Sequence, residues 1–170
     1  MEFTLKSLSK AAIPRSIEKA ERYRLINQPW AAESICLDIL RSEPGNQRAV
    51  HVLLLAITDQ FAQHPDTGEL DARAKSLLDR LTSEYEREYY AGMISERRAT
   101  AKLAVGAPGA GFIAYDWLRE AMEHYERAEG IRPEGNDDAV LRWNSCVRLM
   151  ESRPELRPAP REREAPVTGE

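Results

Sequence analysis

The most constraining feature of this sequence is one residue spacing that occurs twice. A small residue is followed by a larger side chain four positions later, by an apolar residue three positions after that, and by a proline after five more. The two copies are Ala32, Cys36, Ile39 and Pro44, and then Ala121, Tyr125, Ala128 and Pro133. Steps of three and four residues place side chains on one face of an α-helix, and a proline ends the helix before it. The sequence therefore predicts a repeated unit that contains a helix and its stop signal.

The first copy belongs to a longer stretch with signals for a pair of helices. Ala20 and Ala32 are small enough for two antiparallel helices to approach closely, and Tyr23 fills the space beside them. Pro29 marks the start of the second helix and Pro44 its end. This unit resembles the tetratricopeptide repeat (TPR), which has about 34 residues and places a small residue, a Tyr, an Ala, an aromatic residue and a Pro at set offsets.

The resemblance is partial in the first unit and better in the second copy. Ser16 and Lys19 stand where the family has Trp and Leu, and Cys36 stands where it has an aromatic residue. Tyr125 and Ala128 are the family's own choice at two positions. The resemblance implies an all-α fold in which antiparallel helix pairs stack as a right-handed solenoid, with three units and a capping helix.

Periodicity, turn residues and prolines divide the chain into helices and units. We expect helices at about 14–27, 29–42, 47–63, from about 69 to the region of 81–84, 85–105, 112–130 and 136–151. We expect a lead-in at 1–12, TPR-like units at about 13–46, 47–84 and 85–135, the capping helix at 136–152, and a disordered Pro/Arg/Glu-rich tail at 153–170. Gly92 costs about 1 kcal/mol against Ala inside a helix. We therefore expect it to mark a close approach of two helices.

The composition narrows the range of functions. The 170 residues carry a net charge of −4, which disfavours general nucleic-acid binding because phosphates require a basic surface. No apolar run approaches the ~18 residues that a membrane span needs, and we identify no export signal at the N-terminus. Cys36 and Cys146 lie in apolar helical patterns and are expected to be reduced core residues, which favours the cytoplasm. The oligomeric state stays open.

Signals for chemistry are weak. His51, His64 and His124 lie on three separate predicted elements, and neither cysteine belongs to a Cys-x-x-Cys motif, so we expect no metal ligands. Cys36 occupies a helix core position, where a nucleophile would be out of reach. We therefore expect no catalytic residues and no cofactor, and interpret the chain as a non-enzymatic binding protein.

One alternative function rests on a basic cluster and a glycine-rich loop. Arg97 and Arg98 form the sharpest basic cluster, beside Tyr89 and Tyr90, and could contact RNA through ion pairs and stacking. The loop at 106–111 could offer backbone amides to a phosphate, although it lacks the Gly-Lys-Ser/Thr ending of a P-loop. The alternative is thus an RNA- or nucleotide-associated accessory protein.

The leading hypothesis concerns a groove for a partner protein. In TPR proteins the first helix of each unit lines a concave groove, and the resemblance implies the same here. The residues expected to contact a partner are Arg24, His51, Tyr90, Arg97, Asn144 and Arg148. Arginine and tyrosine often anchor interfaces, and guanidinium groups suit carboxylates. We therefore expect an unidentified partner protein or extended peptide, with acidic or carboxylate groups, to bind in the groove.

Overall fold

The computed structural model describes residues 3–64 and 66–160. Within these ranges it contains seven α-helices and no strand, which confirms the all-α class. The helices are α1 (Ile13–Leu25), α2 (Pro29–Ser42), α3 (Gln47–Asp59), α4 (Gly68–Ser76), α5 (Glu84–Val105), α6 (Ala110–Gly130) and α7 (Asp138–Ser152). Short 3₁₀ turns occur at Lys10–Ala12, Phe61–Gln63 and Leu78–Arg80. No helix in the described part of the chain is long and apolar enough to cross a lipid bilayer.

Helix boundaries follow from local capping. Asn46 Oδ1 accepts a hydrogen bond from Ala49 N at 2.9 Å and so caps α3. Ser83 caps α5 in the same way, by accepting from Glu86 N at 3.3 Å. Gly106, with φ of +68°, ends α5 in the left-handed conformation that glycine adopts most readily. Asn46 and Ser83 thus accept from backbone N–H groups that the starts of α3 and α5 leave without a partner.

Two helices end earlier than the sequence pattern predicts. α3 ends at Asp59 rather than near Gln63, and α4 ends at Ser76 rather than near Leu81. A 3₁₀ turn follows in both places and brings an apolar side chain into the core, since Phe61 is only 1% exposed and Leu81 only 2%. Burial of these two side chains thus outweighs continuation of the helix.

Each helix packs against its neighbour in sequence, and the odd-numbered helices also pack against one another. α1 contacts α3, α3 contacts α5, and α5 contacts α7. The most extensive interface is between α5 and α6, of 22 and 21 residues respectively, which form a long antiparallel hairpin. The contacts between alternate helices bring side chains of α1, α3, α5 and α7 to one side of the molecule.

The core contains Ala20 and the first two residues of each copy of the repeated spacing. Ala20, Ala32, Cys36, Ala121 and Tyr125 are all completely buried. The buried apolar side chains form two clusters, one centred on α1 to α4 and one on α6 and α7. α5 contributes side chains to both clusters and therefore joins them.

Gly92 lies where α5 approaches α6. A Cβ atom at this position would be 2.7 Å from Tyr125 Cε1 and 3.0 Å from the carbonyl oxygen of Ala121. Contacts this short do not occur without displacement of a neighbour. The close helix approach that the sequence predicts at Gly92 is confirmed.

The two ends of the described chain both contact the helices. At the N-terminal end, Leu8 packs against the first cluster, and its carbonyl oxygen accepts a hydrogen bond from Ser42 Oγ at 3.1 Å. At the C-terminal end, Leu156 is 6% exposed and belongs to the second cluster. The Arg157 guanidinium lies 5.9 Å from the centre of the Phe112 ring. This differs from the disorder expected for 153–160, whereas 161–170 lie outside the described residues.

Candidate functional site

A single carboxylate links three of the odd-numbered helices. Arg24 Nε, on α1, donates to Asp59 Oδ2 at 2.7 Å, and Arg97 Nη1, on α5, donates to Asp59 Oδ1 at 2.6 Å. Arg97 Nη1 also lies 2.7 Å from Thr58 Oγ1 and 3.3 Å from the carbonyl oxygen of Leu55. The three charged side chains are 20–24% exposed. Two cations thus share one anion at a site that solvent and ligands can reach.

Aromatic side chains form a row beside this carboxylate. The His51 ring, on α3, stacks on Tyr90 of α5 with centroids 5.3 Å apart and planes 22° apart. Tyr89 meets the edge of Tyr90 at 5.2 Å and stacks on Tyr85 at 5.9 Å. Burial, together with the neighbouring Tyr89 and Glu86, raises the pKa of Tyr90 to about 12. The hydroxyl of Tyr90 therefore stays protonated at neutral pH.

A second charged cluster joins α5, α6 and α7. Arg142 Nη1 donates to Glu96 Oε1 at 3.3 Å, and Tyr125 OH donates to Glu96 Oε2 at 2.5 Å. Arg142 Nε also donates to Tyr89 OH at 3.4 Å. Burial acts to lower the pKa of Arg142, but Tyr89 and Glu96 outweigh it and raise that pKa above its ordinary value. The Glu96 carboxylate, in a residue only 9% exposed, thus has both a charged and a neutral donor.

The two clusters face a common region. Burial lowers the pKa of Arg97, the Asp59 carboxylate opposes this effect, and the positive charges of Arg24 and Arg142 add to it. Arg24 shares Asp59 with Arg97, and Arg142 bonds to Glu96, the residue next to Arg97. Three arginines from α1, α5 and α7 therefore converge on one side of the molecule.

Carboxylates collect near the N-terminal ends of α5 and α7. Glu86 Oε2 lies 3.1 Å from His51 Nε2, although the geometry is not that of a hydrogen bond. Glu86 and Asp138 both act to raise the pKa of Tyr90, while Arg24 acts to lower it. Tyr90 thus lies between acidic groups and the arginines. We call the surface formed by Arg24, His51, Asp59, Glu86, Tyr90, Arg97, Asp138 and Arg142 the odd-helix face.

Four of the six residues expected in a groove come together on this face. They are Arg24, His51, Tyr90 and Arg97. The other two, Asn144 and Arg148 on α7, are exposed and form no hydrogen bond or ion pair with the four within the described residues.

Arg142 is the α7 residue on this face that the sequence interpretation missed. Successive residues of an α-helix are rotated by about 100°, so Asn144, two residues after Arg142, points to nearly the opposite side of α7. Asp138 and Arg142, four residues apart, form the stripe of α7 beside α5. This opposite-charge pair at helical spacing is the sequence signal that could have identified the correct face.

Arg97 and Arg98 do not form one basic patch. Arg98 stacks over the Trp117 ring at 4.1 Å and donates to Asp71 Oδ2 at 3.3 Å. Asp71 also forms an ion pair with Lys75 at 3.2 Å. Adjacent residues on a helix point about 100° apart, so the two arginines contact different helices.

The two cysteine thiols are not exposed on this face. Cys36 and Cys146 are buried, and burial raises the pKa of each thiol to about 12. His51 and His124 contact different carboxylates, Glu86 and Glu88. Over 3–64 and 66–160 the structure holds no group of three His, Cys, Asp or Glu side chains arranged for a metal ion. The face itself presents charged groups, hydrogen-bonding groups and aromatic surface that a ligand could contact.

Comparisons of the chain with protein-family models, curated proteins and solved structures found no match. Its function has to be inferred from its own residues.

Proposed function

We propose that this chain is a TPR-like helical-repeat protein that binds an extended segment of a partner protein on its odd-helix face. The helix pairs α1–α2, α3–α4 and α5–α6 would be the three stacked units of a right-handed solenoid, and α7 its capping helix. The concave groove would then be lined by α1, α3, α5 and α7. The chain would act by binding and not by catalysis.

The pattern of helix contacts supports the repeat arrangement. In a stacked array, the first helix of each unit touches the first helix of the next unit. α1, α3, α5 and α7 contact one another in this order. Ala20 and Ala121, which would occupy small-residue positions of the repeat, are completely buried, and Ala121 lies where α6 approaches Gly92 of α5. The long α5–α6 hairpin is the main irregularity.

The observation that carries the binding proposal is the bridging of Arg24 and Arg97 by Asp59. Long arginine side chains normally lose conformational entropy when a ligand immobilises them, at about 0.5–1.5 kcal/mol each. Here the bonds to Asp59 already hold both side chains, although each remains about one-fifth exposed. Tyr90 and His51 are likewise held by stacking. Such a preorganised set of arginine and aromatic groups is typical of interface anchors.

The alternative, an RNA- or nucleotide-associated protein, gains no support from the basic cluster. Arg97 pairs with Asp59 on α3 and Arg98 with Asp71 on α4, so the two side chains point to different helices and do not form one basic surface. The glycine-rich loop at 106–111 leads into α6, and at its end the carbonyl oxygen of Glu155 lies against Gly111. This oxygen occupies space that a phosphate at the start of α6 would need. A partner segment made of amino acids suits the mixed charges of the odd-helix face better than a polyanion does.

Site-specific photocrosslinking tests the proposal. Benzoylphenylalanine replaces Tyr90 on the odd-helix face in one variant, and replaces the exposed aromatic residue Trp30 on α2 in a matched control. In extract from the cells that produce the protein, we expect one partner to crosslink at position 90 and not at position 30. Crosslinking of the same partner at position 30 alone, or equal crosslinking at both positions, would contradict the proposed site.

A further inference from the structure

The odd-helix face is electrically divided along α5. At one end, Arg24, Arg97 and Arg142 carry three positive charges against the two carboxylates of Asp59 and Glu96. One positive charge is therefore in excess. Glu96 is further occupied by the Tyr125 hydroxyl, which leaves it less available to a ligand. We call this end the basic pole.

The opposite end carries excess negative charge. Glu86 contacts the His51 imidazole, and Asp138 forms no ion pair within the described residues. Arg48 and Glu21, which lie beyond them on α3 and α1, pair with each other at 2.8 Å and so cancel. We call Glu86 and Asp138 the acidic pole. The aromatic surface of His51 and Tyr90 lies between the two poles.

The separation of the poles sets the length of a ligand that could reach both. On α5, Glu86 and Arg97 are eleven residues apart, which corresponds to about 16 Å along the helix axis. On α7 the acidic and basic groups are closer, since Asp138 and Arg142 are four residues apart, or about 6 Å. An extended peptide advances about 3.3 Å per residue. A segment that pairs with Glu86 at one end and with Arg97 at the other would therefore place its two charged side chains about five positions apart.

We propose that the odd-helix face recognises an extended peptide segment with one basic and one acidic side chain about five residues apart. The basic side chain binds Glu86 and Asp138, and the acidic one binds the excess charge of Arg24, Arg97 and Arg142. The residues between them contact His51 and Tyr90. This inference rests on the proposed function and adds the chemistry of the partner.

Selection from a phage-displayed library of random peptides tests this inference. The wild-type protein is expected to enrich peptides that carry Lys or Arg and Asp or Glu about four to six positions apart. A pole variant, Glu86→Lys with Asp138→Lys, is expected to bind a wild-type-selected peptide about tenfold more weakly and to enrich peptides without the basic residue. The control, Glu123→Lys with Glu126→Lys, makes the same charge change at exposed positions of α6 and is expected to leave binding unchanged.

The possible outcomes separate this inference from the proposed function. Enriched peptides that compete with crosslinking at position 90 but lack the charge pair would overturn the inference alone. Equal weakening by the pole variant and the control would also overturn it. Enrichment of no peptide at all would contradict the proposed function and the inference together. Far-UV circular dichroism checks the fold, and Glu86→Gln with Asp138→Asn, a nearly isosteric pair, provides the same test if the lysine variant does not fold.

Discussion

Arg97 Nη1 donates a hydrogen bond to Asp59 Oδ1 at 2.6 Å and so connects the middle of α5 to the last residue of α3. The other oxygen of the same carboxylate accepts from Arg24 on α1 at 2.7 Å. A carboxylate at a helix C-terminus is disfavoured by the helix dipole by about 0.3–1 kcal/mol. The two ion pairs must outweigh this cost, and they fix the spacing of three helices that form the odd-helix face.

Removal of this carboxylate should destabilise the fold. In Asp59→Ala, two partly buried guanidinium groups lose their acceptor, and we expect the free energy of unfolding to fall by about 2 kcal/mol. We expect no larger loss because the side chains of Arg24, Asp59 and Arg97 are each about one-fifth exposed, so solvent screens their ion pairs. The matched control is Asp38→Ala, whose carboxylate is 44% exposed and 3.8 Å from Arg41. In a urea titration, the free energy of unfolding of the control should change by less than about 0.5 kcal/mol. An equal loss of stability in Asp59→Ala and Asp38→Ala would contradict this role of Asp59.

The approach of α5 to α6 should not tolerate a methyl group at position 92. Gly92→Ala gains about 1 kcal/mol of helix propensity, but its Cβ would lie 2.7 Å from the Tyr125 ring. Overpacking costs about 1–3 kcal/mol, and the nearby Ala121 carbonyl limits relaxation, so we expect a net loss. Gly130→Ala lies at the end of a different helix, α6, with no atom within 4 Å of the new Cβ, and should be neutral or stabilising. Thermal unfolding of both variants measures the difference, and a more stable Gly92→Ala would refute the close approach.

The segment after α7 should contribute to stability through Leu156. Leu156→Ala removes a side chain that is 6% exposed in the second cluster, and we expect a loss of about 2 kcal/mol or more. Leu141→Ala makes the same chemical change where the side chain is 65% exposed, and should cost far less. Equal stabilities of the two variants in chemical denaturation would show that the segment does not pack on the helices in solution.

The two cysteine thiols should react only after unfolding. Burial raises the pKa of both Cys36 and Cys146 from 9.0 to about 12, so at pH 8 the reactive thiolate is scarce and enclosed. The stability that this burial contributes is fully present below pH 9, the pKa of the unfolded thiols, and is lost as the pH rises towards 12. A thiol reagent at pH 8 should modify both cysteines in denaturant and neither in the native protein. Rapid modification of the native protein would show that one of them is accessible.

The sequence predicts the helices well where prolines and small residues mark their ends and crossings. The bounds of α2, 29–42, agree with the structure because Pro29 starts the helix and Pro44 lies just beyond its end. The 3₁₀ turns that end α3 and α4 were not predicted, since periodicity alone continues through Phe61 and Leu81. The buried position of Leu156 was missed for a related reason. One apolar residue among prolines produces no periodic signal.

The candidate site was predicted in part. The expected residues on α1, α3 and α5, which are Arg24, His51, Tyr90 and Arg97, lie on the odd-helix face, and the apolar stripes of these helices indicate their inner sides. On α7 only Ala139 and Cys146 are buried, so little in the pattern marks the inner side, and an error of one residue in register rotates every side chain by about 100°. Asn144 and Arg148 were therefore expected where Arg142 lies. The sharing of Asp59 by two arginines depends on the packing of three helices, so local sequence contains no signal for it.

The central claim, that partner segments bind on the odd-helix face, is tested most directly by NMR chemical-shift mapping with a library-selected peptide. The side-chain Nε–Hε signals of Arg24, Arg97 and Arg142 and the amide signals around Tyr90 report on this face, and those of Trp30 and Leu37 report on the exposed side of α2. We predict that titration shifts the first group and leaves the second group unchanged. Shifts concentrated on α2, α4 or α6, with the arginine signals unmoved, would contradict the claim.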